Sequence, residues 1–166
     1  MREPRDYSTE FAEYLRSLGW EPVLIGALAA IEYRVSDRQT TDVDFLVSRL
    51  GGLRPLLEAD GYEVREMAEA GSSEPYLLFV RGHGVRVDLM AAGTPFQVSV
   101  IERAIEGTAS VEDVIVFKLL GWRARDRDDV SEILAGKPRL NEHYITEWAE
   151  EWGVLERWEA AKTSSE

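Results

Sequence analysis

Cysteine is absent from this 166-residue chain, which excludes both a disulfide framework and a thiolate metal site. Histidine is nearly absent too. His83 and His143 are the two present, too few for a His-rich zinc site, and His83, set between two glycines, reads as a surface turn residue. No run approaches the roughly 20 apolar residues of a membrane helix, and residues 1–10 are charged where a signal peptide is apolar. The expected location is therefore cytoplasmic, with no membrane partner. Walker loops, Gly-x-Ser-x-Gly elbows, internal repeats and low-complexity blocks are missing as well. Positive charge is also short: 19 Lys and Arg stand against 31 Asp and Glu, a formal net charge of -12. Bulk binding to a nucleic-acid backbone runs on Lys and Arg neutralising phosphates and is disfavoured here. A local basic groove built from Arg34, Arg38, Arg123 and Arg125 stays open, but the overall field suits a cationic small molecule or a protein better.

What the chain does have is core. An apolar content of 45% with 10% aromatics argues for a folded protein, and the length suits one domain, residues 1–166, sheet-rich over 20–92 and helical over 94–161. Apolar spacing predicts a helix over 8–18, with Ser8 or Thr9 as N-cap and Gly19 as stop. A strand follows Pro22, a helix covers 27–33, and 34–41 is a polar loop. After Gly51 and Gly52 come a short helix, a strand over 62–67, and a hairpin pairing 76–80 with 85–90. Helices are expected over 94–105, from the Ser110 cap onward, and across Asp126, Asp129, Val130 and Ile133, which share one side. A last helix over 141–161 carries an Ile145, Trp148, Trp152, Leu155 stripe, expected as core or as a homo-oligomer contact. Residues 162–166 read as a disordered tail.

Candidate chemistry concentrates between Val23 and Val47. An apolar run, Val23 to Ile25, stops at Gly26, and a second run begins beside two aspartates. Side chains two apart on a strand share a face, so Asp42 and Asp44 project together. Two adjacent carboxylates repel unless a cation sits between them, and magnesium takes oxygen ligands of this kind. Gly26, where a strand turns into a helix, lets backbone N–H groups approach a phosphate at the helix N-terminus. Farther on, Asp88 sits in a strand otherwise apolar on one face. It needs a partner there, and the simplest is a salt bridge to Arg86 or Arg81.

The Gly26-Ala27 turn, the Arg38-x-Thr40-x-Asp42-x-Asp44 run and the later Asp88 resemble the signature of the polymerase-beta-like nucleotidyltransferases, above all the small bacterial branch of minimal nucleotidyltransferases and abortive-infection toxins. The fold class this resemblance implies is α/β (α+β), a mixed β-sheet flanked by helices with a helical C-terminal half. It further implies two Mg2+ ions held by Asp42, Asp44 and Asp88, which would also be the catalytic residues, with Asp88 as general base. A nucleoside triphosphate, ATP being the first expectation, would be bound by Gly26, Ala27, Arg38, Thr40 and Lys118. Ala27 stands where Gly or Ser is usual and leaves phosphate binding to backbone amides. The segment from Lys118 to Val130 is also similar to this family, with Arg125 where lysine is common.

Lys118 lies within the most apolar helix, so it either snorkels to an edge or reaches an anion, phosphate or carboxylate. Asp128 is expected to pair with Arg123, and Asp126 is left open. Three functions follow. One is nucleotidyl transfer to a protein or RNA, as in a toxin–antitoxin or defence pair. Another is adenylyl transfer to a cationic small molecule, favoured by acids at Glu66, Glu69 and Glu74. The third is a catalytically silent domain that binds a nucleotide or a partner.

Overall fold

The computed structural model describes residues 2–166. Five strands make one sheet in the order β1-β2-β5-β4-β3, from β1 (Val23–Ile25), β2 (Val43–Val47), β3 (Glu63–Ala68), β4 (Pro75–Gly82) and β5 (Val85–Ala91). All neighbours are antiparallel except β2 and β5, which run parallel. The sheet is therefore mixed, as expected, and flanked by eight helices.

Alternation along the strands divides two cores. On one face Val43, Phe45, Val47, Val85, Val87, Leu89, Leu78 and Val80 pack under α1 (Pro4–Ser17) and α3 (Leu53–Ala59), which contribute Tyr7, Phe11, Leu15, Leu53 and Leu57. On the other, Val23, Ile25 and Leu46 meet the helical half: α4 (Pro95–Arg103), α5 (Val111–Gly121), α6 (Ala124–Ala135), α7 (Glu142–Glu151) and α8 (Leu155–Ser164). Helix α5 buries Val114, Ile115, Val116 and Leu119, so it is apolar nearly all round, as a central helix must be.

Three expectations are corrected. Helix α1 begins four residues early, because Pro4 occupies its first turn, where a missing N–H costs nothing; Ser8 and Thr9 lie inside it. The last helix is two, broken where Gly153 takes φ 69° and Val154 caps the next. Trp152 is left 42% exposed at that break, while Trp158 is fully buried. Residues 162–164 continue α8 instead of forming a tail. Among the described residues no helix is long and apolar enough to cross a membrane.

Candidate active site

Register builds the site. The parallel β2–β5 pair sets Asp44 beside Asp88, and the antiparallel β1–β2 pair sets Ile25 beside Asp44. One residue past Ile25 the chain turns at Gly26, φ 69°, into α2 (Gly26–Tyr33). Asp42 precedes β2, its backbone N–H donating to Thr40 Oγ1 at 3.2 Å. All eight residues expected at the site, Gly26, Ala27, Arg38, Thr40, Asp42, Asp44, Asp88 and Lys118, line one cavity of about 330 Å³, together with Arg123, Arg125 and Asp126.

Gly26 has two reasons to be glycine. Its positive φ favours a residue without Cβ, and a Cβ there would press on the Asp44 carboxylate, 3.0 Å from its Cγ. Gly26→Ala is expected to destabilise the fold by about 1–3 kcal/mol and to displace Asp44. Thermal unfolding together with magnesium titration checks this, and wild-type behaviour in both would refute it.

Asp44 carries the electrostatic tension of the site. Burial first, then the charges of Asp88 and Asp42, push its pKa from an ordinary 3.8 up to about 6, against relief from Lys118 and Arg123. A carboxylate so placed calls for a cation, and three carboxylates in one cavity are the hard oxygen donors that magnesium takes. The residues fit such an ion in chemistry. They do not yet converge: among the described residues no three acidic or imidazole groups come together as a ready metal site. Arg81 Nη1 instead donates to Asp88 at 3.0 Å, and Arg86 Nη2 lies 3.9 Å from Asp42. The bland sequence alternative for Asp88, a salt bridge, is thus present, and its partner is Arg81.

Behind the cavity lies a buried ion cluster that sequence reasoning missed as a unit. Asp129, fully buried, accepts from Arg38 Nε and Nη2, both at 2.8 Å, and from Arg34 Nη1 at 2.6 Å, and Lys118 Nζ lies 2.8 Å away. Lys118 also approaches Asp126 at 3.3 Å. Of the anions open to Lys118, the one it meets is carboxylate. Asp126 binds Arg123, and Asp128 pairs with Arg34, not with Arg123 as expected. Burial alone would raise the pKa of Asp129, but hydrogen bonds from Arg38 and Lys118 and their charges hold it at about 2. The readable signal was a helical face with two acids, Asp126 and Asp129, following a loop with two arginines.

Of the expected basic groove, Arg34 is committed to this cluster, Arg38 belongs to the cluster and also lines the cavity, and Arg123 and Arg125 line it too. Glu66 lies on β3, Glu69 and Glu74 follow in the β3–β4 connection, and none of them lines this cavity.

A solved structure from Helicobacter pylori, assigned as a nucleotidyltransferase, superposes on 89% of this chain and 74% of its own, with a TM-score of 0.52 and 18% identity. The chain therefore shares the fold of that structure. A second Helicobacter pylori structure covers the same shares at a TM-score of 0.47 and 18% identity. A terminal uridylyl transferase from Trypanosoma brucei with bound GTP covers 80% of this chain and 49% of its own, at 0.40 and 13%. No protein-family model matches the sequence, and no curated protein matches it significantly. In this shared fold, the strand–Gly26–helix turn and the two paired carboxylates fall on adjacent strands of one sheet.

Proposed function

We propose that the chain transfers a nucleotidyl group from a nucleoside triphosphate, ATP first among them, to an acceptor hydroxyl and releases pyrophosphate. The observation that carries this is the register pairing of Asp44 with Asp88 beside the Gly26 turn, in one cavity with two further cationic residues, Arg123 and Arg125. Backbone amides at Gly26 and Ala27, at the start of α2, face the phosphates. The acceptor oxygen attacks the α-phosphorus, the bond from that phosphorus to the bridging oxygen of the β-phosphate breaks, and pyrophosphate leaves with the electron pair. Asp88, released from Arg81, takes the hydroxyl proton. Asp42, Asp44 and Asp88 would hold magnesium, which would supply charge neutralisation for the phosphates and for the attacking oxygen. Arg38 and Lys118, held by Asp129 in the wall of the same cavity, add fixed positive charge there. Such chemistry suits one half of a toxin–antitoxin or defence pair.

A second reading, a silent domain that binds nucleotide without turnover, is favoured by the Arg81–Asp88 pair and by Ala27. Calorimetric titration of magnesium with a non-hydrolysable triphosphate tests the shared part. Wild type is expected to bind only when metal is present, and Asp42→Asn/Asp44→Asn is expected not to bind. A folded wild type that takes up neither would remove both readings. Binding with no labelled product, across protein, RNA and small-molecule acceptors, would leave the silent domain.

A further inference from the structure

A second cavity, of about 620 Å³, adjoins the aspartate cavity and shares Arg38, Thr40 and Arg125 with it. Its other walls come from distant segments: the start of α1, the loop before β2, and β5. Five arginines line it, Arg2, Arg5, Arg38, Arg86 and Arg125, against two acids, Glu3 and Asp37. In a chain where acids outnumber bases 31 to 19, this lining inverts the balance of the whole.

The guanidinium groups differ in how firmly they are held. Arg38 is committed to buried Asp129. Arg2 pairs with Glu10 and Arg5 with Asp37, the arginine side chains being 43% and 53% exposed, and Arg86 is 3.9 Å from Asp42. Exposed pairs of this kind are worth little and exchange readily. Arg125 makes no side-chain hydrogen bond or ion pair among the described residues that would have to be broken first. Four arginine forks are therefore available in one concavity, and such forks bind phosphate through two parallel hydrogen bonds. Concave walls also focus the local field against the repulsion of the chain as a whole.

Gly26 and Ala27 line the aspartate cavity alone, so the triphosphate and whatever fills the larger cavity occupy separate spaces. The two spaces meet at Arg38, Thr40 and Arg125. Arg86 links the larger cavity to Asp42, the acid among the three with the most exposed side chain, at 48%.

We propose that the larger cavity is the acceptor subsite and that it takes an acceptor carrying phosphate close to the hydroxyl to be modified. This rests on the nucleotidyl-transfer reading and supplies its acceptor class. It reverses the cationic acceptor expected from net charge, because recognition is set by the cavity and not by the average. A phosphorylated small molecule and the phosphodiester end of a nucleic acid present the same chemistry, and the volume suits a group of nucleotide size.

The test uses two probes, a labelled short single-stranded oligonucleotide with a free 3′-hydroxyl and adenosine monophosphate as competitor, with the magnesium–triphosphate titration repeated on every variant. Arg2→Gln/Arg5→Gln is expected to weaken oligonucleotide binding about tenfold or more and to flatten its salt dependence. Asp37→Asn removes the acid that holds Arg5 and is expected to tighten binding. Triphosphate binding should be unchanged in both, since neither Arg2 nor Arg5 lines the aspartate cavity. Competition by the monophosphate at affinity equal to that of the oligonucleotide supports the inference with a small phosphorylated acceptor. An oligonucleotide held far more tightly than the monophosphate supports it with a nucleic-acid end. Failure of both probes to bind, or a double variant that binds as wild type does, overturns the acceptor assignment while intact triphosphate binding leaves nucleotidyl transfer standing. A wild type that binds no triphosphate brings down the transfer reading and this inference together.

Discussion

Asp129→Ala is expected to lower folding stability by about 3–5 kcal/mol, the cost of leaving buried charges without their partner. Three cations converge on this carboxylate, with side chains 4% exposed for Arg34, 13% for Arg38 and 8% for Lys118, and Asp129 itself at 0%. Removing the acid strands them in a region where water cannot replace it. Because the pKa of Asp129 is depressed to about 2, its contribution is fully present above the ordinary value near 3.8 and is lost as pH falls towards 2. Wild type and Asp129→Asn should therefore converge in stability in strong acid and diverge at neutrality. Asp128→Asn is the control: its partner is the same Arg34, but its side chain is 59% exposed, so a change within about 0.5 kcal/mol is expected. Urea midpoints across pH decide the matter, and equal midpoints for Asp129→Ala and wild type at pH 7 would dismiss the cluster as a stabilising element.

Asp44→Asn should abolish transfer, by about 1,000-fold or more, as the loss of a group that stabilises transition-state charge does, and yet make the metal-free protein more stable. The sign follows from the direction of the shift. Between pH 3.8 and about 6 the folded state holds a proton on Asp44 that the unfolded state has released, so stability falls as pH rises through that window. Above pH 6 the full penalty applies, about 3 kcal/mol for a gap of this size. Asparagine carries none of it. The variant should melt higher than wild type at pH 7.5 without magnesium, and the two should coincide below pH 4. Added magnesium should raise the melting temperature of wild type and leave the variant unmoved. A variant less stable than wild type at pH 7.5 would show that the carboxylate is satisfied as it stands, which would argue against a cation between the aspartates.

Much of the site was readable because strand alternation is local. Asp42 and Asp44 on one face and Gly26 at a strand end need nothing beyond their neighbours, and the cavity contains every residue picked out on that basis. Asp88 was placed by its order in the chain, but its partnership with Asp44 depends on a parallel register that no local pattern encodes. Partners of the charged residues were the least readable. Lys118 finds Asp126 and Asp129 because the chain reverses at Trp122, φ 50°, a conformation that tryptophan does not advertise. In the C-terminal helix the break falls at Gly153, whereas the apolar periodicity running through it from Ile145 to Leu155 suggested continuity.

The parallel pairing of β2 with β5 fixes when the site can exist during folding. Strands β3, β4 and β5 are joined in sequence as an antiparallel meander, a set of short-range contacts that closes quickly. A parallel neighbour cannot be reached by a tight turn, and the chain must build α3, β3 and β4 between Val47 and Val85 before β5 can dock on β2. Long-range pairing of this kind bears its loop-closure entropy before any contact rewards it. A nascent chain that has displayed Gly26, Asp42 and Asp44 therefore carries half a site until Asp88 arrives with the meander. The carboxylate pair is born with the completed sheet, so no shortened product ending before Val85 can hold it.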